Sequence, residues 1–370
     1  MDITSTLQPQ AATGTTMQTP HFKFYSKSDI LSLTKVRRFE TKLGERVSVL
    51  TEDHSAEAFN FIDARYVVIG IPEDIGVRAN GGTAGTSTAW LSFLQSFLNI
   101  QSNDFLNGDD IAIAGHFDFG DMQYLIERNA QGEEEQLLAY RHAVNTIDEE
   151  VEKIIKAIVA SGKIPIVIGG GHNNAYPILK GAAKGLHQDL QIALPQINVI
   201  NLDAHSDYRP AEGRHSGNGF RYAEDDGFLQ KYCVVGLHES YLQQNVWVDI
   251  VNNPFLDCIT YEDIFIHEKR NFHQAVSHAI SFTDDNYCGI ELDLDSVEGI
   301  LSSACSPTGV SPLNARQYVN LCAANAKCAY IHICEGAVHL CNGRADESTG
   351  KLISYLVTDF IKMHLGREGA

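Results

Sequence analysis

The chain has 370 residues, 44% of them hydrophobic and 20% charged, which suits a globular protein with a large buried core. A formal net charge of −19 argues against nonspecific attachment to nucleic acid or to an anionic lipid surface. No apolar run in the sequence approaches the ~20 residues that a membrane span needs.

Residues 1–20, "MDITSTLQPQAATGTTMQTP", are polar, without an apolar core segment and without Arg, so neither a secretory signal nor a typical mitochondrial presequence is expected. They read as a mobile tail, residues 21–55 as an N-terminal extension, and residues 56–370 as one domain. Within it, "YVVIGI" (66–71) reads as a strand, followed by a Gly/Thr-rich loop and a helical stretch around "STAWLSFLQSFL". "IAIAG" (111–115) is the next strand, and Val144, Ile147, Val151, Ile154, Ile155 and Ile158 then recur at helical spacing. "IPIVIGGGH" (164–172) is a strand running into a glycine loop, with the helix-like "AYPILKGAAKGL" behind it. "INVINLD" (197–203), "YCVVGLH" (232–238), "YCGIELDLD" (287–295) and "YIHIC" (330–334) follow as strands, and "LISYLVTDFIKMHL" closes the chain as a helix. Strands apolar on both faces and alternating with helices predict a three-layer α/β/α fold around a mostly parallel sheet. The eight cysteines all lie in the second half and form no Cys-x-x-Cys pair. They read as buried free thiols of a protein in the reducing cytoplasm.

In such sheets ligands bind at the carboxyl ends of the strands. The polar clusters fall there: "GGGHNN", "DAHSD", "DLD" and "CEGA". Asp203, His205 and Asp207 alternate along "NLDAHSDYR" and share one side if the strand stays extended. Each motif alone has a bland reading, as a structural histidine or a solvated strand end. Together, His172, Asp203, His205, Asp207, Asp293 and Asp295 offer two imidazoles and four carboxylates, a donor set suited to two divalent ions. It contains no thiolate, which weighs against structural zinc.

Over residues 60–365 these motifs, in their order and spacing, resemble the ureohydrolase family of arginase, agmatinase and formimidoylglutamase, and "DFGD" (118–121) looks like a further family marker. The resemblance implies an arginase-like fold, a homo-oligomer (trimer or hexamer) and two divalent ions, Mn2+ first, with Ni2+ or Co2+ compatible. It implies one ion held by His172, Asp203, Asp207 and Asp293, and the other by Asp203, His205, Asp293 and Asp295, with Asp203 and Asp293 bridging. It further implies hydrolysis of a guanidino or formimino C–N bond by a metal-bridging hydroxide. Asp207 would relay a proton and Glu335, in "IHICEGA", would grip the cationic head of the substrate. The sequence departs from arginase after the Asp-x-His-x-Asp run: Phe220 aligns with the arginase proton-shuttle histidine, which leaves His215 as the candidate shuttle or a packing residue.

"GVRANGG" (76–82), "RPAEGRHSGNGF" (209–220), "VGLHESY" (235–241) and "SPTGVSP" (306–312) look closer to formimidoylglutamase, which takes N-formimidoyl-L-glutamate to glutamate and formamide in histidine degradation. A dicarboxylate tail calls for cations, and Arg214, Arg209 and Arg78 lie in predicted rim loops, with Asn218 beside them. Any one of these arginines reads equally well as a surface ion-pair residue. Glu239 could hold an amino group of either kind of substrate. The alternatives are a urea-releasing hydrolase of guanidine, a guanidino acid, agmatine or arginine, and a non-catalytic metal-binding scaffold of the same fold.

Overall fold

The computed structural model describes residues 19–50 and 56–368. Most of the expected mobile tail, residues 1–18, lies outside them; its end is described, with Thr19 buried and its carbonyl accepting from the Phe22 amide at 3.1 Å.

Nine strands form one sheet: β1 (Phe22–Phe24), β2 (Tyr66–Gly70), β3 (Ile111–Phe117), β4 (Ile164–Ile168), β5 (Ile197–Leu202), β6 (Leu229–Leu237), β7 (Leu256–Thr260), β8 (Cys288–Asp293) and β9 (Cys328–Cys334). Their order is β1-β3-β2-β4-β9-β8-β5-β6-β7, with β1 antiparallel to β3 and every other neighbouring pair parallel. The strands β1 and β7 were not read from the sequence. β1 has three residues, and β7 is an edge strand with half-buried Asp257 and Cys258, so neither carries a strong apolar pattern.

Side chains alternate between the faces of the sheet, as strand geometry requires. Val67, Val167, Val199 and Val234 face one core layer, whereas Val68, Ile168, Leu202 and Val235 face the other. The first layer is covered by the helix Glu133–Ala160, which buries the six apolar residues whose periodicity predicted it, and by the helix Ala175–Gln188 packed against it. The second is covered by helices Ala89–Phe97, Phe272–Phe282, Pro312–Asn325 and Ser348–Glu368. The expected three-layer α/β architecture is therefore present. Five of the eight free cysteines are buried, and Cys341 is exposed. Among the described residues no helix is long and apolar enough to cross a membrane.

The register places the functional motifs. Ile168, Ile333, Leu292 and Leu202 lie side by side across β4, β9, β8 and β5. One residue further on, Asp203, Asp293 and Cys334 share a row at the carboxyl edge of these strands. The chain after β4 turns inward through Gly169 (φ 90°) and Gly170 (φ 76°), both in the left-handed region that favours glycine.

Candidate metal centre

Four adjacent strands thus deliver their loops to one place. His172 reaches it from the end of β4, Glu335 from β9, Asp293 and Asp295 from β8, and Asp203, His205 and Asp207 from β5. The His172 loop is tied down on both sides. Its amide donates to Glu335 Oε1 at 2.6 Å, and the Gly171 amide donates to Glu73 Oε1 at 3.0 Å. Glu73 also accepts from Asn174 at 2.7 Å and from the Gly76 amide at 3.0 Å. This fully buried carboxylate was not singled out in the sequence; its signal was an acidic residue directly after an apolar strand, in "IPED".

His172 Nδ1 lies 2.8 Å from Asp207 Oδ2, 3.2 Å from Asp203 Oδ2 and 3.3 Å from Asp293 Oδ2. His205 Nδ1 lies 3.0 Å from Asp295 Oδ2 and 3.7 Å from Asp203 Oδ1. All six predicted ligands are therefore brought together, in two groups whose donor atoms lie within 4.8 Å of one another: His172, Asp203, Asp207 and Asp293; and Asp203, His205 and Asp295. Asp203 is common to both. Asp293, expected to bridge as well, falls only in the first, and its Oδ1 accepts the Asp295 amide at 2.7 Å.

Burying four carboxylates together is costly without compensating cations. Burial, then Asp295 and Asp203, pushes the Asp293 carboxyl well above its usual value. Burial, then Asp203, pushes Asp207 up to about 6. Burial would raise Asp203 too, but the His172 and His205 rings outweigh it and hold that carboxyl low. Burial opposes protonation of both histidines, yet their acidic neighbours raise both, chiefly Cys334 with Asp203, Asp207 and Asp293 for His172, and Asp295 and Asp203 for His205. His172 Nδ1 and Asp295 Oδ1 are buried without hydrogen-bond partners. Buried donor atoms left unpaired within an acidic cluster fit bound cations, and the mixed nitrogen and oxygen set fits Mn2+.

Two side chains of the site stand on left-handed backbone, Asp207 at φ 44° and Glu335 at φ 59°, a conformation that non-glycine residues adopt rarely and that gathers at functional sites. Glu335 Oε2 also accepts from the Ser303 hydroxyl. Burial, then Asp295 and Asp207, pushes the Glu335 carboxyl up to about 8. Here opens a cavity of about 270 Å³, lined by His205, Asp207, Asp293, Asp295 and Glu335 together with Asn80, Arg209, Tyr241 and Ser303.

Residues 64–360 match the family model described as the arginase family. The chain belongs to the arginase family. Among curated relatives, formimidoylglutamases of Streptococcus pyogenes are 30% identical over 192 residues, covering 50% of this chain and 57% of theirs. The chain thus spans about half the length of the curated relatives it matches. Among solved structures, Trypanosoma cruzi formiminoglutamase with Mn2+ superposes with a TM-score of 0.64 at 21% identity, covering 89% of this chain and 99% of that one. Formimidoylglutamase from Bacillus subtilis gives 0.66 at 17% identity, with 89% and 93% covered. These likenesses show that the arginase-family fold is shared.

The expected tail-binding residues of this arginase-family chain separate. Arg209 lies at the cavity, where its guanidinium donates to Asn80 Oδ1 at 2.7 Å and to the exposed Glu212 at 2.6 Å. It is the one Arg or Lys among the described lining residues. Arg214 does not reach the rim. It is 2% exposed, makes two bonds to Asp148 at 2.8 and 3.1 Å, and donates to the Asn173 carbonyl at 2.7 Å and to Asn218 Oδ1 at 3.0 Å. Asn218 is buried as well, and its amide nitrogen faces the Pro210 and Gly213 carbonyls, so it shapes the loop from within. Both corrections share a cause: residues 209–220 fold back on the helix Glu133–Ala160, and the loop's polar groups are spent on that closure. His215 is fully buried outside the lining, with Nδ1 accepting from the Gly217 amide at 3.1 Å. Burial, then Arg209 and Arg141, lowers its pKa to about 4. Phe220 meets the His172 ring edge-on at 5.2 Å. Arg78 pairs with Asp74 at 2.9 Å, and Glu239 is exposed and accepts from Thr260 at 3.4 Å; neither lines the cavity. Asp118 and Asp121 of "DFGD" are exposed.

Proposed function

We propose that this protein is a dinuclear manganese hydrolase that cleaves a C–N bond of a formimino or guanidino group, with N-formimidoyl-L-glutamate as its preferred substrate. The observation that carries the reading is the buried, overlapping pair of ligand groups under an acidic cavity, in a chain of the arginase family. His172, Asp203, Asp207 and Asp293 would hold one ion, and Asp203, His205 and Asp295 the other, with Asp293 as a further candidate bridge. When bound, the ions supply Lewis acidity and lower the pKa of water at the site.

The protein's own groups account for the rest. Glu335, locked by the His172 amide and Ser303, sets one carboxylate against the cationic head of a substrate. Burial first, and then the negative charge of Asp295 and Asp207, raise its pKa, and a cationic head beside it would offset both. Asp207, which borders the cavity, would take up a proton and pass it to the leaving nitrogen. Arg209 offers the charge that a carboxylate tail would pair with. The formimidoylglutamase relatives support the formimino branch. A guanidino substrate is the second reading, favoured by the pairing of that single arginine with Glu212. Product analysis of manganese-loaded enzyme on formimidoylglutamate, guanidine, agmatine and arginine tests the assignment. Formamide from formimidoylglutamate at the highest kcat/KM is the expected result, and faster urea release from any guanidino compound overturns it.

A further inference from the structure

Beneath the acidic row lies a second row that the proposed mechanism does not use. Asn201, Glu291 and His332 are register neighbours across β5, β8 and β9, and all three are fully buried. A buried carboxylate is expensive unless its oxygens are partnered, and those of Glu291 are divided with purpose. Oε1 accepts from the Tyr330 hydroxyl at 2.8 Å. Oε2 lies 2.7 Å from His332 Nδ1 and 3.4 Å from His172 Nε2. The strand is notched for this arrangement: a Cβ on Gly289 would lie 2.4 Å from the Tyr330 hydroxyl, so only glycine lets that tyrosine reach along the sheet.

We infer that Glu291 is a positioning residue for His172, holding the imidazole from Nε2 so that Nδ1 faces the carboxylates of Asp203, Asp207 and Asp293. This rests on the metal-binding reading above. The 3.4 Å approach lacks hydrogen-bond alignment and acts through charge and packing, with His332 and Tyr330 fixing where the carboxylate stands. An imidazole ligand whose second nitrogen meets a carboxylate is held in one orientation and made a better donor, and loss of such a partner commonly weakens metal binding about 10–100-fold. A purely structural Glu291–His332 pair would instead contribute to the stability of the metal-free fold and leave the two ion affinities in their original ratio.

The experiment titrates metal-free full-length protein with Mn2+ by calorimetry, follows the exchange-coupled manganese pair by electron paramagnetic resonance, and measures urea unfolding without metal. Glu291→Gln should weaken the affinity of one ion about 10–100-fold, leave the other near wild type, and show uncoupled manganese at loadings where wild type shows the pair. His205→Ala serves as the reference for weakening the opposite ion. Tyr330→Phe, which frees Oε1 but leaves Oε2 in place, should weaken the same ion as Glu291→Gln by a smaller factor and covers the case in which Glu291→Gln does not fold. Unchanged manganese affinities in the folded variants overturn the inference, as does an equal loss for both ions matched by a loss of metal-free stability. Wild-type protein that binds no manganese would overturn the metal reading itself, a different result from two intact sites in the variants.

Discussion

Arg214→Met tests how the loop after the metal motif is built. Arg214 is 2% exposed and its guanidinium satisfies Asp148, the Asn173 carbonyl and Asn218 while lying over the Tyr176 and Tyr222 rings at 4.7 and 5.0 Å. Methionine fills much of the volume but leaves the buried Asp148 without its cation. Removing one partner of a buried pair costs about 3–5 kcal/mol, against a total stability of about 5–15 kcal/mol for a typical protein. Arg209→Ala is the contrast. Its Glu212 partner is exposed, so stability should move by no more than about 0.5 kcal/mol. Loss of a charge-assisted bond to a substrate carboxylate should cost about 1.5–3 kcal/mol, roughly tenfold to a hundredfold in KM. Urea unfolding of the metal-loaded variants, with steady-state kinetics on formimidoylglutamate, separates the two. The double variant Asp148→Leu/Arg214→Met should recover part of the lost stability, because an apolar replacement of a whole buried pair is often neutral. Arg214→Met with a wild-type unfolding midpoint and a raised KM would refute the reasoning and return that guanidinium to the substrate.

Chelation should abolish hydrolysis and lower the unfolding midpoint, since bound ions stabilise the state that binds them; manganese should restore both, and full activity in demonstrably metal-free protein would sink the proposal. Asp203→Ala, which removes the residue common to both ligand groups, should lose both ions by metal analysis, whereas His205→Ala should chiefly lose one. Manganese affinity should rise with pH and still be rising above neutrality, because His172 and His205 carry raised pKa values without metal and a ligand nitrogen must lose its proton to bind; calorimetry in buffers of different ionisation enthalpy reads the released protons directly.

The layered fold and the cluster of six candidate ligands were legible because both rest on short-range pattern. Apolar runs with polar ends mark buried parallel strands, and an alternating Asp-x-His-x-Asp or Asp-x-Asp leaves its strand at a fixed phase. What joins distant segments was not legible. Arg214, seven residues past Asp207, looked like a rim cation, but its partner Asp148 lies on a helix 66 residues upstream. Asn218 was read as a substrate contact and is consumed by its own loop. Glu291 and His332 did leave a trace: they are ionisable residues inside strands covered on both faces, where no solvated side exists to receive them. Reading them required the register, because only the pairing of β8 with β9 sets one opposite the other.

The order of the sheet also bears on how the chain comes together. β2, β3 and β4 form one block and β5, β6 and β7 another, and the strands made last, β8 and β9, fill the gap between them. Until β9 is synthesised, β4 has an unpaired edge, and the bond from the His172 amide to Glu335, spanning 163 residues of chain, has no acceptor. Loop closure over such a span is slow and entropically costly. The last pair acts as a keystone: an emerging chain holds four of the six candidate ligands, His172, Asp203, His205 and Asp207, before β8 and β9 complete the cluster, and its open strand edges are exposed to mispairing throughout that interval.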